Sequence, residues 1–186
     1  MSPKLSEMSL EELWQLFPIF LTEHQSCWEN WYAEEENFLK KQIPQVERIS
    51  HIGSTAISSI WAKPIIDILM EMPQTCDLSV IKDLIVNSGY ICMSQSDERL
   101  SFNKGYTENG FDEKVFHLHL RYAGDNSELY FRDYLIGHPD IANEYEKLKL
   151  KLWKEYEHNR DGYTNAKSEF VKKYTERAKE EYKNRY

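Results

Sequence analysis

The chain has 186 residues, is 41% hydrophobic and 13% aromatic, and carries a formal net charge of −8. That is enough apolar mass for one domain with a real core, and five Trp and twelve Tyr exclude a disordered chain. The acidic balance disfavours non-specific binding of nucleic acid or an anionic membrane, while leaving room for a small basic pocket.

Cys27, Cys76 and Cys92 share no CxxC spacing and read as reduced, partly buried thiols. Residues 1–10 hold no apolar stretch of signal-peptide length, and no run of ~18 apolar residues occurs. The expectation is a cytoplasmic protein with no membrane partner.

Ser9-Leu10-Glu11-Glu12 starts a helix, with Ser9 as N-cap and Glu12 three residues on, and Pro18 ends it. A second helix fits residues 25–41, with Trp28, Trp31, Tyr32, Phe38 and Leu39 on one face and Glu34 to Glu36 on a solvated side. Residues 46–52 read as a strand, and the Gly53-Ser54-Thr55 turn opens a brief helix over 54–60. Ile65 to Met70 is a strand with Pro64 held to its first position. Leu78 to Ser88 is a helix stopped by Gly89. Residues 90–93, 100–106 and 114–122 are strands, the last two joined through Thr107-Glu108-Asn109-Gly110. From about 126 the pattern is helical, broken at His138-Pro139-Asp140 and at Asn159-Arg160-Asp161-Gly162. The organisation is one domain over 1–186: an N-terminal extension to about 24, an α/β core over 25–125 and a helical tail over 126–186.

Three places carry chemistry. In the strand Ile65 to Met72, Ile66, Ile68 and Met70 share one face, and Asp67, Leu69 and Glu71 share the other. A carboxylate there either pairs with a nearby Lys or Arg or serves a site. Asp67 and Glu71 stand ~13 Å apart along the strand, too far for one metal unless Glu71 bends back.

In "VFHLHLRY" (115–122), Phe116, Leu118, Leu120 and Tyr122 form an apolar face, and Val115, His117, His119 and Arg121 the other. The two His lie ~7 Å apart along the backbone. Their ring nitrogens can converge on one ion or phosphate, or each can be a hydrogen-bonded structural histidine. Arg121 adds a fixed charge suited to phosphate. The turn at Gly53, Ser54 and Thr55 follows a strand, so its N–H groups and hydroxyls can meet a phosphate or simply cap the next helix.

A Gly-Ser turn, twelve residues, then an Asp in an apolar strand resembles the DNA polymerase β-like nucleotidyltransferase superfamily. More closely, "HIGSTAI" (51–57), "AKPIIDI" (62–68), "FNKG" (102–105), "HLHL" (117–120), "FRDYL" (131–135), "HPDIANEYEKLK" (138–149) and "YTNAKSEF" (163–170) resemble the GrpB family within it. The resemblance implies an α+β fold: a nucleotidyltransferase-like core with a mixed β-sheet flanked by helices, then a helical C-terminal tail. It also implies nucleotide or coenzyme metabolism, since the domain is fused to dephospho-CoA kinase in some bacteria.

By that resemblance Gly53, Ser54 and Thr55 would hold phosphates, and Asp67, His117 and His119 would be catalytic. A divalent metal would sit on Asp67, Glu71, His117 and His119, with Mg²⁺ or Mn²⁺ favoured and Zn²⁺ possible. Lys63, Lys104, Arg121, Arg132, Tyr163 and Lys167 would meet the remaining phosphate oxygens. The superfamily places a second acid two residues after the first; here that position is Leu69.

Three functions follow: metal-dependent transfer of a nucleotidyl group from a nucleoside triphosphate to a small acceptor; a non-catalytic module for a nucleotide or phosphorylated small molecule; or phosphoryl hydrolysis at a mononuclear His/His/Asp metal. None calls for a nucleic-acid partner.

Overall fold

A computed structural model describes residues 4–186; residues 1–3, the first of the expected N-terminal extension, lie outside it. The helices are α1 (Leu10–Leu16), α2 (Cys27–Gln42), α3 (Leu78–Asn87), α4 (Ser127–Gly137), α5 (Pro139–Tyr156) and α6 (Arg160–Glu181). The strands are β1 (Arg48–Ile52), β2 (Ile66–Met72), β3 (Ile91–Gln95), β4 (Arg99–Thr107) and β5 (Gly110–Tyr122). They form one mixed sheet in the order β1-β2-β5-β4-β3, parallel only between β2 and β5. The fold is α+β, as the sequence implied.

The period-two pattern of β2 and β5 divides the sheet. Ile66, Ile68, Met70, Phe116, Leu118 and Leu120 point to one face and are buried against Trp28 and Leu39 of α2 and Ile81 and Ile85 of α3. Asp67, Leu69, His117 and His119 point to the other, which faces the C-terminal helices. There Leu69 packs with Ile52 and Leu129, and α4, α5 and α6 pack on one another through Tyr134, Tyr145, Phe170 and Tyr174. The Ser9 capping box forms, and the helix it opens ends at Leu16. Beyond it Phe17, Ile19 and Leu21 alternate inward and are buried. Thr22 pairs with Ala62 as an isolated bridge. This part of the expected extension is therefore built into the fold.

Two elements differ from expectation. The brief helix over 54–60 is a single 3₁₀ turn, Ser54–Ala56. Its continuation is taken up by α5 instead: Glu146 accepts the Trp61 N–H at 2.6 Å, and the Lys149 ammonium donates to the Trp61 carbonyl. The β4/β5 ladder continues to Thr107 and Gly110, past the expected strand ends at 106 and 114, because Phe17, Tyr106 and Phe111 cluster with ring centroids 4.8 to 5.2 Å apart. In β4, Gly105 (φ +87°) forms a bulge: a Cβ there would stand 2.3 Å from the Lys114 carbonyl oxygen. The register changes there: Gly105 alone stands against residues 112–115 of β5 between the flanking pairs, and the side chains of β4 change face across it. Lys104 therefore stays opposite Phe116 on the α2 face, while Tyr106 turns to the face of His117.

The three cysteines are unpaired and half-buried. Among the described residues no helix is long and apolar enough to cross a membrane.

Ile68 is fully buried at the centre of the sheet. Ile68→Ala is expected to cost about 2–5 kcal/mol in urea unfolding, the usual range for emptying a packed core position.

Candidate functional site

The sheet register makes the site. Asp67 lies beside His117 across the parallel β2/β5 pair, and Leu69 lies beside His119. The His117 Nδ1 stands 3.2 Å and the His119 Nε2 3.9 Å from the same Asp67 carboxylate oxygen. On the other side, Ile52 of β1 is paired with Asp67, so the next residue, Gly53, turns directly over the carboxylate. Gly53 has φ +72° and ψ −172°, a region essentially restricted to glycine. A Cβ at this position would stand 2.4 Å from the Asp67 Oδ2. The glycine is thus required twice, by its backbone and by its neighbour.

Burial by itself raises the Asp67 carboxyl, but the adjacent imidazoles, His117 first and then His119, outweigh it and hold the group well below the usual carboxylate range. Burial also pushes His117 down, by more than Asp67 lifts it. A neutral imidazole facing a carboxylate, which can only accept, keeps its proton on Nδ1. The Nε2 is then the acceptor for the Tyr106 hydroxyl at 2.7 Å, and that hydroxyl accepts from the Arg160 guanidinium at 2.9 Å. The chain Arg160–Tyr106–His117–Asp67 fixes one tautomer of His117 and occupies both its nitrogens.

A cavity of about 740 Å³ opens over this face. Its lining includes Gly53, Ser54, Thr55, Lys63, Asp67, His117, His119, Arg132, Tyr163 and Lys167 of the residues expected from sequence. Not all of these present a free group. The Thr55 hydroxyl donates to the Ile65 carbonyl at 3.2 Å and meets His51 Nε2 at 2.9 Å. Arg132 donates to the His51 carbonyl at 2.8 Å and pairs with Asp133 at 2.7 Å. Tyr163 is buried, its hydroxyl pushed up to about 12 by burial, with Lys63 and Lys167 5.4 and 4.8 Å from its ring centroid.

Three expected residues stand elsewhere. Glu71 is on the Asp67 face but two pleats away and 1% exposed, held by Arg48 at 2.5 Å, the Gly124 N–H and Asn126. It does not bend back towards Asp67. Arg121, paired with Glu71 across the strands, faces Asp125 at 3.5 Å and Glu128 at 3.6 Å. Lys104 is on the opposite side of the sheet, bonded to Glu35 at 2.8 Å and lying over Phe38, Tyr90 and Phe116.

The main cavity residue missed from sequence is Lys149. It is 2% exposed, donates to the Ser54 hydroxyl at 2.9 Å and lies 5.0 Å from the Tyr145 ring centroid. The signal was present: Tyr145, Lys149 and Leu152 fall on one helical stripe, and a lysine inside an apolar stripe calls for a reason. Burial first, then Lys167, pushes Lys149 down to about 7. Lys63 is likewise pushed down to about 7 by burial, Lys167 and Arg160. The described lining carries six cationic side chains, Lys172 being the sixth, against the carboxylates of Asp67, Glu128 and Asp161.

As metal donors, Asp67 and the His119 Nε2 are the groups that converge. Among the described residues no three His, Cys, Asp or Glu side chains form a set that could hold an ion. With Leu69 buried where a second acid would stand and Glu71 committed to Arg48, these residues do not fit a two-ion site, nor a His/His/Asp site that needs His117.

The mixed sheet, with a glycine turn abutting an acid on its neighbouring strand, defines a nucleotidyltransferase-like fold. The Cid1 poly(U) polymerase, solved as a mutant bound to MgATP, aligns over 72% of this chain and 44% of its own at TM-score 0.50 and 11% identity, a likeness of fold alone. The chain belongs to the GrpB protein family, which matches residues 18–177. It is 36% identical over 160 residues to the glutamate-rich protein GrpB of Alkalihalophilus pseudofirmus, covering 82% of this chain and 91% of that one. It is 33% identical to the UPF0157 protein YqkA of Bacillus subtilis, of whose length the match covers 45%. The crystal structure of GrpB from Enterococcus faecalis superposes at TM-score 0.76 and 28% identity, over 88% of this chain and 99% of that one.

Two outcomes test the geometry. Gly53→Ala is expected to lower stability by about 1–3 kcal/mol or more in denaturant unfolding, because it meets both the backbone strain and the Asp67 carboxylate. Imidazole ¹⁵N spectra near neutral pH are expected to show His117 as the neutral Nδ1–H tautomer, with the Nε2 resonance shifting in Tyr106→Phe.

Proposed function

We propose that the cavity over Asp67 binds a phosphorylated small molecule, with a nucleoside polyphosphate the ligand that suits it best. The observation that carries this reading is the concentration of positive charge in one cavity of a chain whose net charge is −8. Among the described residues, Lys63, Lys149 and Lys167 have no carboxylate within ion-pair distance. Charges kept together at a cost are a reason to expect an anion. The volume suits a small molecule, and the overall acidity argues against a nucleic-acid partner. The MgATP bound to the poly(U) polymerase of like fold makes a nucleoside triphosphate the first ligand to try.

A second reading, nucleotidyl transfer, is favoured by Asp67. It is an ionised carboxylate, fixed by two imidazoles, on the strand where the superfamily keeps its catalytic acid. In such a step an acceptor oxygen would bond to the α-phosphorus, the bond to the bridging oxygen would break, and pyrophosphate would leave. The acceptor's proton would pass to a base, for which Asp67 and His119 are the candidates. Pyrophosphate release from each nucleoside triphosphate with a metabolite pool, abolished in Asp67→Asn, would establish this reading. Binding without release would leave the binding reading standing alone.

Titration calorimetry tests the first reading. Nucleoside triphosphates and inorganic tripolyphosphate are expected to bind, and Lys149→Gln to weaken them by about ten- to a hundredfold, the worth of a charge-assisted hydrogen bond. Failure of both ligands to bind at millimolar concentration would overturn it.

The lysines set a pH dependence. An anion raises the pKa of each, so the bound form holds protons that the free form has lost. The lysines' contribution to affinity for tripolyphosphate is therefore present below pH 7 and is lost as pH rises above it. Stability of the free protein moves the other way. Between pH 7 and 10 the unfolded chain keeps lysine protons that the folded chain releases, so unfolding midpoints rise across that window.

A further inference from the structure

The same cavity bears on the form in which its ligand arrives. Leu69 is fully buried with Ile52 and Leu129, so no reorientation brings an oxygen to that position. Asp67 faces His117 and His119 through one oxygen, and the other lies against Gly53. His117 has both nitrogens engaged, by Asp67 and by Tyr106. The remaining acids of the lining do not join them: Glu128 faces Arg121 at 3.6 Å, and Asp161 is exposed in the first turn of α6. The donors for a bound divalent ion are therefore few.

Basic side chains are abundant, and they come from separate parts of the fold. Lys63 precedes β2, Lys149 reaches in from α5, and Lys167 from α6. Lys149 is anchored by Ser54 and the Trp61 carbonyl, at the foot of the Gly-Ser turn. Lys63 and Lys167 both attend the Tyr163 ring, 5.4 and 4.8 Å from its centroid. Three ammonium groups held in one cavity without carboxylate partners can do the neutralising that divalent ions do on a polyphosphate.

We propose that this cavity takes its ligand as the metal-free polyphosphate anion, with Lys63, Lys149 and Lys167 supplying the positive charge that a divalent ion would otherwise bring. The inference rests on the phosphate-binding reading and specifies the ligand's charge state. A divalent ion riding on the phosphates would cancel part of the charge that the lysines recognise, and would bring a further cation against them. Asp67 then acts on the ligand as a like charge rather than as a bridge, a role opposite in sign to that of a metal-binding carboxylate.

The test is calorimetric titration of the full chain with inorganic tripolyphosphate at pH 6.5, once with EDTA and once with excess Mg²⁺. Binding in EDTA is expected to be at least as tight as in Mg²⁺. Asp67→Asn is expected to bind in EDTA as tightly as the parent or up to about tenfold tighter, because a negative charge has left the cavity. Lys167→Gln, at a half-buried position that tolerates a polar side chain, is expected to weaken binding about tenfold with little change in the thermal midpoint. Binding that requires Mg²⁺ and disappears in Asp67→Asn would overturn the inference while sparing the phosphate-binding reading. Absence of binding in both media would overturn both.

Discussion

The close approach of Gly53 to Asp67 is the constraint on which the site depends. β1 ends opposite Asp67, and the chain must then leave the sheet without covering the carboxylate. Only a residue without a Cβ can turn there, since 2.4 Å is all the room the carboxylate leaves. The turn in turn sets Ser54 within reach of Lys149 and Thr55 within reach of His51 and the Ile65 carbonyl. One steric contact therefore couples the end of β1, the charged residue of β2 and the middle of α5. The parallel pairing of β2 with β5 adds the two imidazoles to the same point.

Around that point the protein keeps two kinds of charge apart. Most of its ionic groups are paired or exposed, including the buried Glu71 with Arg48 and the half-buried Lys104 with Glu35. The cavity is the exception, where Lys63 and Lys167 attend the Tyr163 ring and Lys149 the Tyr145 ring. Aromatic faces soften this arrangement without neutralising it, and burial, with Lys167 next, holds Lys63 and Lys149 down to about 7. The helical tail is thus more than a cover for the apolar face of β1: α5 and α6 supply four of the six cationic side chains that line the cavity.

Much of this was legible in the sequence. Period two in β2 and β5 put Asp67, His117 and His119 on one face, and the Gly-Ser turn pointed to the same place, because a strand's alternation survives folding. Leu69 in place of an acid was equally plain. Two kinds of information were not legible. Lys149 and Arg160 enter from helices some 80 and 90 residues beyond Asp67 in sequence, and local spacing says nothing of that distance. Lys104 and Tyr106, two residues apart, stand on opposite faces because the alternation of β4 breaks at Gly105. Glu71 and Arg121 lay on the correct face at the wrong end, where nearer opposite charges claim them.

The most direct measurement of the central claim, that lysines from the Pro64 loop, α5 and α6 hold a polyphosphate over Asp67, is a crystal structure of the protein soaked with a nucleoside triphosphate. The predicted result is phosphate density bounded by Lys63, Lys149 and Lys167 beside the Gly53 turn. Phosphates bound at any other surface, with this cavity left to solvent, would contradict it.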